Sequence, residues 1–106
     1  MTTQLIALTR AVHEDGPVAL HGELDFHTSS QIGPRLVQLA GSWGPELTLD
    51  LSGLTFCDSS GIDLFVRIHR QCAVSGTRLR LVNVPSLIAE SMRALGDDRV
   101  LLSSGK

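Results

Sequence analysis

The stretch LTLDLSGLTFCDSSGIDLFVRIHR, residues 47–70, decides the fold of this chain. Its first half is a leucine-rich run typical of a buried strand, and its second half has the apolar spacing of a helix. Between the halves lies a small polar junction, DSSG, at residues 58–61. A hydroxyl at a helix start either caps the helix or takes part in chemistry at the anion-friendly N-terminus. Composition alone favours the cap.

On both sides of this stretch the sequence predicts further strands and helices, and along the whole chain their order is β-β-α-β-α-β-α-β. The predicted strands cover residues 4–12, 17–24, 46–50 with a bend before 54–57, 78–82 and 100–102. The predicted helices cover residues from about 30 to 40, 59 to 73 and 86 to 95. Asp15-Gly16 followed by Pro17 predicts a hairpin turn at residues 13–17. The pattern therefore predicts an α/β fold with a single mixed sheet, an N-terminal hairpin and about three main helices.

Three local expectations accompany this assignment. The leucines after Glu46 predict a third strand that is buried on both faces. Asp25 or Thr28 fits an N-cap for the first helix, but Pro34 favours a first turn that starts later, at Ser30. Four residues define the apolar stripe of the third helix: Leu87, Ile88, Met92 and Leu95.

Composition narrows the class of protein. With 106 residues and a formal net charge of −2, the chain fits one domain and lacks the basic excess of nucleic-acid or membrane-surface binding. Cys57 and Cys72 stand in apolar surroundings, which indicates reduced core thiols and a cytoplasmic setting. The N-terminus has no signal-peptide pattern, and no stretch approaches the ~20 apolar residues of a membrane span.

Catalysis, metal binding and nucleotide binding are weakly indicated. Ser59 lacks a G-x-S-x-G elbow, and the four histidines stand at scattered positions. Asp25, Asp58 and Asp63 are carboxylates at strand ends or one helical turn beyond, without the dense spacing of a metal loop. Neither glycine-rich phosphate motif is present. A phosphate on Ser59 would instead add about −1.5 to −2 charges at the helix start and repel an approaching partner.

Two segments resemble the STAS domains of bacterial anti-sigma factor antagonists. GELDFHTS, residues 22–29, is similar to the family's G-E-L-D-x-x-T-A segment. LDLSGLTFCDSSGI, residues 49–62, is similar to its longer D-L-S-x-[VL]-x-F-[MILC]-D-S-[ST]-G-[LI] signature. With the matching order of elements, the resemblance covers residues 4–102 of a single domain, 1–106.

The resemblance implies a protein–protein switch and no enzyme. Such antagonists bind an anti-sigma factor that is also a serine kinase of the histidine-kinase-like ATPase type, and so release a sigma factor. The kinase phosphorylates the first serine of the signature, here Ser59, and a separate phosphatase restores it. ATP and Mg²⁺ belong to the partner, so the resemblance implies no cofactor for the chain itself. The implied partner-binding residues are Asp25, Thr28, Asp58, Ser59, Ser60, Gly61 and Asp63.

Two positions depart from the family pattern, and one alternative function stays open. Asp63 replaces a small residue, and Ser29 replaces the usual alanine. The alternative function is an unphosphorylated STAS scaffold or a cytoplasmic subunit of a membrane transport complex.

Overall fold

A four-stranded mixed sheet forms the framework of the molecule. The computed structural model describes residues 7–10, 18–42 and 45–102, and for residues 7–10 and 39–42 only the backbone. The strands are β1 (Ala7–Arg10), β2 (Val18–Leu24), β3 (Glu46–Cys57) and β4 (Arg78–Val82). They lie in the order β1-β2-β3-β4, with the first pair antiparallel and the others parallel. The predicted mixed sheet with an N-terminal hairpin is confirmed, while the predicted turn at 13–17 falls outside the described residues.

Helices cover the apolar face of this sheet. They are α1 (Phe26–Ser42), α2 (Ser59–Ser75), α3 (Ser86–Ala94) and the short α4 (Asp98–Leu102). Buried side chains of β2, β3 and β4 form one hydrophobic cluster with those of the helices. Phe65 and Ile68 of α2 are fully buried in this cluster, so α2 is held firmly against the sheet.

The predicted final strand at residues 100–102 is wrong, because these residues form helix α4. The amide of Leu101 donates to the Asp97 carbonyl at 3.0 Å, so the helix begins at the aspartates that precede the apolar run. Only Leu101 is fully buried, while Val100 is 39% exposed. Residues 100–102 point in different directions around one helical turn. Their backbone forms helical hydrogen bonds and does not pair with a strand.

Strand β3 differs from the prediction in two respects. It runs without interruption through the predicted bend at 52–53, because the β2–β3 register shifts by a bulge at this level. Gly53 permits the close approach, since a Cβ there would lie 2.9 Å from the Leu20 carbonyl oxygen. The expected burial on both faces is also wrong: Leu47, Leu49 and Leu51 are buried and alternate with the less buried polar residues between them.

Helix α1 begins at Phe26, one turn earlier than the start favoured by Pro34. Pro34 lies inside the helix on its exposed side, where its lack of an N–H leaves one carbonyl of the preceding turn without its helical donor. A strong N-terminal cap at Asp25, described below, stabilises the early start.

The buried face of α3 also differs from the predicted stripe. Ile88 and Met92 are buried as expected, and Ala89 joins them. Leu87 and Leu95 are 76% and 50% exposed. The C-terminal end of α3 therefore presents an apolar side chain, Leu95, at the surface.

Candidate functional site at the start of helix α2

The ends of β2 and β3 bring the two sequence motifs together. Leu24 and Cys57 are register partners at the last pair of the parallel β2–β3 ladder. Beyond this pair, the amide of Asp58 donates to the Leu24 carbonyl at 3.2 Å. The start of α1 after Asp25 and the start of α2 after Asp58 consequently lie side by side at one edge of the sheet.

Asp58 is the N-cap of α2. Its Oδ1 accepts hydrogen bonds from the amides of Ser60 at 2.9 Å and Gly61 at 3.2 Å. Ser59, the first residue of the helix, is exposed, and its hydroxyl has no hydrogen-bond partner in the part of the chain that the structure describes. Capping is thus carried out by the aspartate, and the hydroxyl of Ser59 is left available.

Asp25 and Thr28 form a reciprocal cap at the start of α1. The Thr28 amide donates to Asp25 Oδ1 at 2.9 Å, and the Asp25 amide donates to Thr28 Oγ1 at 2.9 Å. The Thr28 hydroxyl also donates to the Glu23 carbonyl at 2.9 Å. Thr28 is 1% exposed, so its contribution to this site is to hold the end of β2 and the start of α1 in place.

Hydrogen bonding from the Thr28 amide lowers the pKa of Asp25 from its ordinary value of 3.8. The ionised carboxylate therefore stabilises the folded state above pH 3.8, and this stabilisation is lost as the pH falls through the lowered pKa. We expect Asp25→Asn, which keeps the capping oxygen but removes the charge, to be modestly less stable than wild type at neutral pH. The difference should shrink below pH 3.8 in urea unfolding followed at several pH values. A difference that is constant across this range would mean that the charge of Asp25 does not stabilise the cap.

Gly61 sets the position of the first turn of α2. A Cβ at this residue would lie 2.7 Å from Cys57 Sγ and 2.8 Å from the Leu24 carbonyl oxygen. Such distances are below van der Waals contact, so the helix can approach the end of β2 this closely only with glycine here. Gly61 is buried, and like Thr28 it positions the site without presenting a side chain.

Carboxylates and apolar side chains surround Ser59. Two hollows flank it, the first lined also by Ser60, Asp63, Leu95 and Asp97, the second by Cys57, Asp58, Ile62, Ser91, Ala94 and Leu95. Neither hollow is lined by a described lysine, arginine or histidine. Asp63 is 70% exposed and pairs at 3.5 Å with Arg67 on the next turn, a surface contact worth about 0.3–0.5 kcal/mol. An added negative charge on Ser59 would therefore enter an acidic surrounding.

Sequence reasoning missed Leu95 and Asp97 as neighbours of Ser59. They follow α3 and reach the start of α2 only through the tertiary fold. Leu95 and Asp97 stand on either side of Gly96, which has a φ of 80° and turns the chain between α3 and α4. The sequence does show a glycine at the end of a helix, Gly96, followed by Asp97 and Asp98. This pattern does not indicate that the segment lies beside the start of α2.

Cys57 and Cys72 are buried free thiols. Burial raises the pKa of Cys57 to about 12, with a contribution from the neighbouring Asp58 charge, and burial raises that of Cys72 to about 11. Both thiols are therefore protonated and inert at neutral pH. Among the described residues, no group of three or more His, Cys, Asp or Glu side chains is placed to hold a metal ion.

Comparison with protein families identifies the fold family. A sequence profile of the STAS_2 family, described as "Mlab, STAS domain", matches residues 7–103. The chain belongs to the STAS domain family. A search of curated proteins finds no match. Within the described residues, no helix of this STAS domain is long and apolar enough to cross a membrane.

Solved structures with the same fold include anti-sigma factor antagonists. The STAS domain is similar to the unphosphorylated antagonist SpoIIAA, with 22% identity, a TM-score of 0.71 and coverage of 92% of this chain and 85% of that one. It is similar to an antagonist from Mycobacterium paratuberculosis, with 19% identity, a TM-score of 0.77 and coverage of 92% and 83%. It is also similar to the phosphorylated form of Bacillus SpoIIAA, with 22% identity, a TM-score of 0.66 and coverage of 92% and 88%. At these identities the likeness establishes the common fold.

Proposed function

We propose that this STAS domain is an anti-sigma factor antagonist that is switched off by phosphorylation of Ser59. In its unmodified form it binds an anti-sigma factor that is also a serine kinase, and this binding releases a sigma factor. The observation that carries the proposal is the exposed hydroxyl of Ser59 at the first position of α2, where Asp58 already caps the helix. A serine whose only role was capping would be engaged with backbone amides.

In this proposal the chain is the substrate and the partner supplies the chemistry. The Ser59 oxygen attacks the γ-phosphorus of ATP bound to the kinase, its proton passes to a base of the kinase, and ADP leaves as the bond to the γ-phosphorus breaks. The first turn of α2 holds the serine in a fixed position through the Asp58 cap and the close contact at Gly61. A separate phosphoserine phosphatase reverses the reaction, and the domain itself has no catalytic role.

The charges near Ser59 explain how phosphorylation ends binding. The helix N-terminus tolerates a phosphate within the domain, because the helix dipole favours negative charge there. Toward a partner, the phosphate stands beside the carboxylates of Asp58, Asp63 and Asp97 without a described cation in the same hollows. A partner surface that is complementary to these carboxylates around a neutral serine must then accommodate about 1.5 to 2 additional negative charges and a larger group.

Incubation with a candidate kinase and ATP tests the proposal. The candidates are the histidine-kinase-like ATPases encoded in the same genome, and phosphate is located by peptide mass spectrometry. We expect one phosphate on Ser59 and none in Ser59→Ala, with Ser60→Ala as the matched control that is still modified. Phosphate on Ser59→Ala, or no binding and no modification by any such kinase, would overturn the proposal.

A second candidate is an unphosphorylated STAS scaffold or a subunit of a membrane transport complex. The matching family description has the name Mlab and does not mention sigma-factor antagonism, and this favours retaining the alternative. Tagged protein purified from cells distinguishes the two. Co-purification of a transport ATPase and a permease, with unmodified Ser59, would support the second candidate.

A further inference from the structure

We propose that Leu95, at the C-terminal end of α3, is the residue by which the kinase recognises this domain beside Ser59, through an apolar side chain of the kinase that packs on it. Leu95 lines both hollows that flank Ser59. The inference rests on the proposed function, because it names a contact that the kinase makes when it reaches this serine. It assigns Leu95 to recognition and leaves the chemistry to the kinase.

Leu95 is the large apolar side chain that a partner can reach in these hollows. It is 50% exposed, whereas Ile62 and Cys57, which line the second hollow with it, are only 0% and 8% exposed. Ala94 is also exposed but contributes only a methyl group. A partner that covers Ser59 therefore removes Leu95 from water, and this burial of apolar surface favours binding.

The end of α3 holds Leu95 in a fixed position. Its amide donates to a carbonyl one turn earlier in the helix at 3.1 Å. The Gly96 amide donates to the Arg93 carbonyl at 3.0 Å. The Asp97 amide donates to the Met92 carbonyl at 2.9 Å, which completes a Schellman motif. Because the backbone on both sides of Leu95 is already ordered, a partner that packs on this residue loses little binding energy to ordering it.

The kinase is the occupant of these hollows, because Ser59 lines both of them. A group that brings the γ-phosphate of ATP to the Ser59 hydroxyl must enter this space, where it meets Leu95. The second hollow has a volume of about 250 Å³, below the roughly 300–1,000 Å³ of small-molecule sites, so it suits one side chain of a partner. Asp63 and Asp97 line the first hollow, so a complementary surface also has a basic side chain next to the apolar one.

Phosphorylation of Ser59 would remove this apolar contact as well as add repulsion. The phosphate extends from a residue that lines both hollows, so an apolar side chain on Leu95 would have to bury part of the phosphate without offering it a hydrogen bond. Leu95 consequently contributes to binding only while Ser59 is unmodified. Replacing Leu95 should therefore weaken binding less in Ser59→Asp than in the wild type, which a double-mutant cycle by calorimetric titration measures.

Phosphorylation kinetics with the kinase that modifies Ser59 test the inference. We expect Leu95→Ala to raise KM about tenfold and to leave kcat unchanged, because the variant loses binding and no part of the chemistry. Leu95→Met retains an apolar side chain of similar size and should restore the wild-type KM. Both variants should unfold at nearly the wild-type temperature, since half of the Leu95 surface is exposed in the free domain.

Leu87→Ala is the matched control, because it makes the same change on the same helix. Leu87 is 76% exposed and lines neither hollow, so this variant should have the wild-type KM. If Leu95→Ala is phosphorylated on Ser59 with the wild-type KM, or if Leu87→Ala raises KM equally, the inference about Leu95 is overturned while the proposed function stands. If no such kinase binds or modifies the wild type, both are overturned.

Discussion

Replacing Ser59 with aspartate is expected to weaken binding to the anti-sigma kinase about 30-fold, a loss of about 2 kcal/mol, without destabilising the domain. The new carboxylate joins Asp58, Asp63 and Asp97 in hollows that contain no described cation, and it must lose water when the partner covers it. Within the domain, a negative charge in the first turn of α2 is favoured by the helix dipole, by about 0.3–1 kcal/mol. Calorimetric titration and thermal unfolding measured by circular dichroism test the two halves of this prediction.

Ser59→Asn is the control that separates charge from size. Asparagine has nearly the volume of aspartate and no charge, so it should retain most of the affinity. Ser75→Asp places the same charge at the exposed C-terminal end of α2, far from the Asp58 cap, and should leave binding unchanged. Equal weakening by Ser59→Asp and Ser59→Asn would mean that the site excludes bulk, and the electrostatic account of the switch would be wrong.

The sequence predicts that Ser59 lies at a helix start, because the residues that determine this position are its immediate neighbours in the chain. A leucine-rich strand followed by Asp, two serines and glycine specifies a strand end, a cap and a helix start within a few residues. The sequence left open whether aspartate or serine caps the helix. The structure decides this, because the Asp58 side chain accepts from the amides of Ser60 and Gly61.

Features that depend on packing between elements far apart in the chain could not be predicted from the sequence. Leu95 was predicted for the core, since spacing along α3 cannot distinguish the last buried turn from an exposed end; the fold places it next to Ser59. The run at 100–102 has the composition of a strand, but it forms a short helix that follows Asp97 and buries Leu101 against the rest of the fold. Ser29 looked like a mild substitution, and its burial emerges only when α2 is placed beside α1.

Gly61 allows α2 to lie close to the end of β2, and Gly61→Ala is expected to destabilise the domain by about 2–4 kcal/mol. The added methyl would meet Cys57 Sγ at 2.7 Å and the Leu24 carbonyl oxygen at 2.8 Å. The carbonyl cannot move away freely, because it accepts the Asp58 amide and Leu24 pairs with Cys57 in the β2–β3 ladder. Alanine favours a helix over glycine by about 1 kcal/mol, which is smaller than this clash. Urea unfolding of both proteins measures the difference.

Gly33→Ala is the matched substitution, since it adds the same methyl to a buried glycine inside the neighbouring helix. The atom it meets is Leu64 Cδ1 at 3.2 Å, the end of a side chain that can shift by a few tenths of an ångström. The gain in helix propensity then offsets most of the contact, and we expect a change within about 1 kcal/mol. If Gly61→Ala and Gly33→Ala destabilise the domain equally, the backbone at Leu24 can move away from the added methyl as readily as the Leu64 side chain can. The first turn of α2 would then be held by the Asp58 cap, and the close contact at Gly61 would not determine where Ser59 stands.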